Sequence, residues 1–163
     1  MVLNNFIETF MYQGVFGTNI RGEQAYGKSL YGNPLDNYGQ LQLNYFMSAL
    51  PTDNMGPGNV GVFIGSNDTP VTPDDYAWNN NIDTLTKVSQ SAKIVTKNGY
   101  KVLRFILSVT NDTDADVEVK EVGVIVSVNY GRNANALIAR EVLDTPITVK
   151  ANGGAQIFGI DIG

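Results

Sequence analysis

Three groups of side chains in this 163-residue sequence have types and spacings that could do chemistry. Asp112, Asp114 and Asp116 alternate in "NDTDAD", as the first ligands of a calcium loop do. An EF-hand also needs Gly at its sixth position and Glu at its twelfth. Counted from Asp112 those positions are Val117 and Gly123, so the motif fails. Asx residues in a hairpin turn are the ordinary reading, and a weak calcium site of another kind is the alternative. Asp68, Asp74 and Asp75 lie in one loop, where paired carboxylates could hydrolyse a sugar linkage. Closeness along a loop fixes no separation between carboxyls, so catalysis is not expected from them. The letters "GPGNVG" at 56–61 match GxGxxG. The dinucleotide fingerprint needs a strand before it and a helix after it. Here a Pro-rich loop precedes and a strand follows, which reads as a turn.

The third group is a pair of charges inside apolar runs. Arg140 sits in "LIAREVL" and Glu121 sits at the matching point of "VKEVGVIV". A lone buried charge is costly, so a guanidinium among apolar neighbours should find a carboxylate. Glu121 is the first choice of partner and Glu141 the second; alternatively Arg140 points to solvent from an edge strand. Every one of these roles is structural. "NDT" at Asn67 and at Asn111 spells an N-glycosylation sequon. The first residues, "MVLNNFIETFMYQG", lack the basic start of a secretory signal, so both sequons are read as accidental.

Other chemistry is excluded by composition. The chain has no Cys and no His, which removes disulfides, thiolate nucleophiles, Cys/His zinc sites and every Ser-His-acid arrangement. No cofactor is expected. The formal charge is −5 and the sequence pI is about 4.5, so nothing draws the chain to nucleic acid or to anionic lipid. No apolar run approaches the roughly 18 residues of a membrane helix. The expected partners therefore include neither nucleic acid nor membrane.

The elements that position these groups divide near Leu50–Pro51. Residues 1–46 hold nine of the fifteen Phe and Tyr residues and only five charges, with Gly and Asn recurring throughout. A solvated linker has few aromatics; this segment has many, so it should order itself against a surface. It reads as an arm. Within it Leu43, Phe46, Met47 and Leu50 share one helical face before Pro51. A second short helix would start with Asn5 and Glu8 as a cap and end at Gly14. Phe6, Phe10, Tyr12, Phe16, Tyr26, Tyr31 and Tyr38 are the expected assembly contacts. Tyr26, Tyr31, Tyr38 and Tyr45 could instead stack on sugar rings, which would suit a glycan.

From Asn59 the pattern is β. "NVGVFIGS" is a short strand and "NDTPVTPDDYAWNNN" is turn chemistry. "SAKIVTK" and "YKVLRFILSVT" form a hairpin around Asn98-Gly99, with Leu103, Phe105, Leu107 and Val109 on one face. "VEVKEVGVIVSVNY" follows, with Val122, Val124, Val126 and Val128 on one face. "ALIAREVL", "ITVK" and "AQIFGIDI" read as three more strands, with "DTP" and "ANGG" as the breaks. Strands at this spacing predict an all-β antiparallel sandwich. The last strand should be held in a sheet by neighbours on one or both sides.

Three blocks of the chain resemble virion proteins of tailed bacteriophages. "VGVFIGSNDTPVTPDDYAW" is similar to their V-G-x-G-x-x-x-P-x-x-x-D-Y segment, though Asn67 stands where glycine is common. "LRFILSVTNDTDADVEVKEVGVIV" is similar to their strand, Thr-Asn turn and strand followed by Glu-x-Gly. "LIAREVLDTPITVKANGGAQIFGIDI" is similar to their closing block. The likeness covers about 60–163. It implies a non-enzymatic structural protein of the head-fibre, tail-fibre, collar or capsid-decoration type, made in the bacterial cytoplasm and carried in the virion. It also implies a homo-oligomer or many-copy assembly with other virion proteins as partners, and Glu121 and Arg140 as fold-determining positions.

The sequence therefore predicts an arm over 1–54 with one or two short helices. A jelly-roll or Ig-like antiparallel β-sandwich over 55–163 follows it. The expected function is virion assembly through self- and neighbour-contacts. The alternative is a receptor- or glycan-binding module at a fibre tip, facing a host-surface glycan.

Overall fold

The computed structural model describes residues 61–127 and 135–163. The expected helices at 5–14 and 43–50, the arm and its seven aromatic assembly contacts lie outside the described residues. Among the described residues every regular element is a strand. They are β1 (Gly61–Gly65), β2 (Thr86–Lys97), β3 (Tyr100–Asn111), β4 (Val117–Ser127), β5 (Asn135–Val149) and β6 (Gly154–Ile162).

The strands form two antiparallel three-stranded sheets, ordered β1-β4-β5 and β2-β3-β6. Alternation decides which residues each sheet buries. Phe105, Leu107 and Val109 of β3 point one way, with Phe158 and Ile160 of β6 beside them. Val62 and Ile64 of β1 and Val122 and Val124 of β4 meet them in one apolar cluster. That cluster draws on both sheets and is the main core.

Two turns follow directly from residue type. Asn98 and Gly99 both have positive φ, 51° and 84°, and join the paired residues Lys97 and Tyr100. A two-residue loop with both φ values positive matches the strand twist, and Asn-Gly adopts it most readily. Asn152 and Gly153, at φ 58° and 97°, turn the chain from β5 in one sheet to β6 in the other.

The stretch "ALIAREVLDTPITVK" differs from the expected pair of strands. It is one strand, β5, and "DTP" does not end it. The partners on β5 jump from Ile147 to Val142 across Lys120, so residues 143–146 bulge from the ladder. A bulge is one of the few places a strand accepts proline, because Pro146 has no N–H to offer. A second bulge leaves Ile138 without a partner on β4, between Ala139 opposite Val124 and Leu137 opposite Ile125. The extra residue shifts the parity of the strand. Leu137 and Arg140, three apart, thereby serve the same face.

Residues 66–82 are more than a turn. Val71 and Trp78 cover the face of β1-β4-β5 turned away from the main core, while 80–82 run along the edge of β1 and Ile82 joins the main core. Ile82 N–H donates to the Ile64 carbonyl at 3.1 Å, Ser66 N–H donates to Asn80 at 3.1 Å, and Gly65 bridges Asn81. Trp78 and Val71 pack there on Phe63, Ile125 and Leu137, forming a second apolar cluster. The Phe63 and Trp78 rings meet edge to face, with centroids 6.2 Å apart and planes at 62°, an arrangement worth about 0.5–1.5 kcal/mol beyond its buried area.

Candidate functional site: a buried charge clamp

The polar group with the most demanding surroundings lies under residues 66–82. β4 alternates Glu121, Gly123 and Ile125 onto this covered face, because Val122 and Val124 take the core face. β5 brings Arg140 opposite Gly123. Glu121 is 1% exposed and Arg140 is 5% exposed, so both charges are out of water. Arg140 Nε donates to Glu121 Oε2 at 2.7 Å, and its Nη1 donates to Asp75 Oδ2 at 2.8 Å. Its Nη2 donates to the Thr69 carbonyl at 2.9 Å. One guanidinium thus ties β4 to two points of the covering segment. Glu141, the other carboxylate considered for Arg140, is exposed.

Glycines make the space. Gly65 pairs with Glu121 across the ladder, and a Cβ there would overlap the Glu121 carboxylate. Gly123 lies beneath Trp78, and a Cβ there would overlap the indole ring. The letters Glu-x-Gly therefore have a physical meaning: a carboxylate for Arg140, then a flat seat for Trp78. Gly61 serves the edge of β1 in the same way. Its φ is +121°, and a Cβ would strike the Gln90 carboxamide, which accepts the Val62 N–H at 3.0 Å.

The clamp divides its charge unevenly. Burial pushes the Glu121 carboxyl up, more than the Arg140 hydrogen bond pulls it back, as desolvation does to any carboxylate. Its Oε1 makes no hydrogen bond of good geometry. Burial also acts upward on Asp75, but hydrogen bonds from Thr72 and Arg140 outweigh it and the net shift is downward. Burial acts downward on Arg140, and its two carboxylate partners more than reverse it. The arrangement holds a fixed cation between two anions. Through Arg140 the geometry pins residues 69 and 75 of the covering segment to Glu121 of β4.

The other candidate residues do separate work. Asp68 is exposed and pairs with Lys120 at 3.1 Å, on a different strand residue from the clamp. Asp74 is exposed. Asp68 and Asp75 thus pair with different cations, Lys120 and Arg140. In the turn after β3, Asp116 accepts from the Ala151 N–H at 2.9 Å and pairs with Lys150 at 2.8 Å. Among the described residues no group of three or more His, Cys, Asp or Glu side chains could hold a metal ion. No described helix is long and apolar enough to cross a membrane.

The two "NDT" triplets share one geometry. Asn67 Oδ1 accepts from the Thr69 N–H at 3.0 Å and from its hydroxyl at 2.8 Å. Asn111 Oδ1 accepts from Thr113 in the same way, at 3.1 and 2.7 Å. Both are Asx turns, in which the side chain mimics a backbone turn. Asn111 goes further. It is fully buried, and its Nδ2 donates to the Ala115 and Val149 carbonyls at 2.8 and 2.9 Å. It locks the β3–β4 turn to the end of β5.

A further ionic group was not singled out in the sequence. On the outer face of β2-β3-β6, Asp161 accepts from Arg104 Nε at 2.6 Å and from Nη2 at 2.8 Å, and pairs with Lys97 at 2.9 Å. The Arg104 hydrogen bonds hold the Asp161 carboxyl well below the usual carboxylate range. The signal was available only through register, since Arg104 and Asp161 are direct partners on β3 and β6.

Compared with protein-family profiles, with curated proteins and with solved structures, the chain matches none.

Proposed function

We propose that this chain is a non-enzymatic structural protein of a tailed-bacteriophage virion, built as an antiparallel β-sandwich of the jelly-roll or Ig-like kind over 55–163. It joins itself and its virion neighbours through the aromatic arm of 1–54. One observation carries the reading. The three sequence blocks that resemble virion proteins contribute to a single physical unit: Gly65, Asp75 and Trp78 from the first, Glu121 and Gly123 from the second, Arg140 from the third. Residues that meet in one clamp are those a shared fold would require together. The core common to both sheets supports the sandwich.

Fold alone does not assign a role, so the test is made on particles. Gold-labelled antibody raised against the purified chain should decorate intact tailed particles produced from the genome that encodes it. Labelling confined to lysate protein, with bare particles, would overturn the proposal.

A further inference from the structure

Each sheet ends in two edge strands, and an open edge is a template for another chain unless something blocks it. Among the described residues three of the four edges are blocked. β1 is covered by residues 80–82 and by Gln90, which takes up the Val62 N–H. β2 carries Lys87, Lys93 and Lys97, and a bulge that skips Val88. β5 carries Pro146 and the bulge at 143–146. β6 has none of these devices. It contains no Lys and no Pro, it runs in unbroken register along β3 from Gly154 to Ile162, and among the described residues β3 is its only partner in the sheet.

The outward face of β6 pairs a knob with a gap. Ile157 is 65% exposed. Two residues on, Gly159 has open space where a side chain would stand, with only the Phe105 carbonyl in ordinary contact. A groove of about 430 Å³ runs past both, lined also by Ile106, Lys97, Arg104 and Glu141. A glycine inside a strand often marks a close approach by another chain. The groove carries both signs of charge, so a second copy of a chain of formal charge −5 meets no single-sign field there.

We infer that β6 pairs antiparallel with β6 of a second copy, about a two-fold axis at Phe158. In that register Ile157 stands opposite Gly159 of the other copy, and the knob fills the gap twice. Gln156 faces Ile160, and Ala155 faces Asp161. No like charges oppose, and Asp161 is already neutralised by Arg104 and Lys97. The two three-stranded sheets become one of six strands, and the contact is isologous, as a two-fold requires. The inference does not rest on the virion reading.

The full-length chain tests it. Light scattering after size exclusion should give an even multiple of the chain mass. Ile157→Lys should weaken the pair at least about tenfold, halve the mass and leave the circular dichroism melt unchanged. The chain has no cysteine, so register can be read by cross-linking. A mixture of Ile157→Cys and Gly159→Cys chains should form disulfide dimers under mild oxidation, because these positions face each other at strand-pair distance. Either variant alone should cross-link far less. A monomer, an odd-numbered assembly, a mass unmoved by Ile157→Lys, or cross-linking no better in the mixture would overturn the inference.

Discussion

Arg140 shows how one side chain can decide the state of a whole surface. It holds Glu121, Asp75 and the Thr69 carbonyl at once, and its removal would leave Glu121 buried without its cation. Breaking one side of a buried pair costs about 3–5 kcal/mol, so Arg140→Met should lower urea stability by that order. Pairing it with Glu121→Leu should recover part of the loss, since the stranded charge goes too. Equal losses in the single and double variants would contradict the clamp. The glycines belong to the same scale. Gly65→Ala pushes on the Glu121 carboxylate and Gly123→Ala pushes on Trp78. Overpacking of this sort costs about 1–3 kcal/mol, and a melt unchanged by both would mean the clamp is loose.

Between strands, the elements are held by side chains that cross from one turn to another. Asn111 joins the β3–β4 turn to the end of β5 through the Ala115 and Val149 carbonyls. Asn111→Ala strands a buried carbonyl and should cost about 2–3 kcal/mol. Hydrogen exchange should quicken at 111–116 and at 149–153 together; quickening at only one would separate the two turns. Legibility also differs by element. The hairpin at Asn98-Gly99 and the apolar face of β3 are readable because the rules behind them are local. Glu121 and Arg140 stand out because a charge within an apolar run demands a partner. Asp75 does not stand out, because its contact depends on the path of residues 66–82 over the sheet. The extra residue Ile138 breaks counting by twos, so the face of Arg140 cannot be found from alternation alone. "DTP" looks like a strand break because Pro and Asp usually end strands; the ladder absorbs them as a bulge.

Across the whole molecule, charge pairing sets the response to pH. Hydrogen bonds from Arg104 to Asp161, from Lys120 to Asp68 and from Lys150 to Asp116 lower those carboxyls from their ordinary value of 3.8. Asp75 is lowered as well. A lowered carboxyl contributes stability that is present above its unfolded value and is lost as pH falls through its folded value. Glu121 has the opposite sign: raised from 4.5, it contributes most below that value and less as pH rises through its folded value. Four groups act against one, so the melting temperature should drop on acidification below about pH 4. Asp161→Asn should flatten that acid limb, and an unchanged limb would contradict the assignment of Arg104 and Lys97 to Asp161.

The arm is the part of the molecule on which the proposed role depends. A chain lacking residues 1–46 should be compared with the full chain by circular dichroism and by light scattering after size exclusion. The account predicts that the truncated chain keeps its strand signal and its melt, and loses every level of assembly above the β6 pair. Unchanged assembly, or a truncated chain that cannot fold, would contradict an arm that serves to join neighbours.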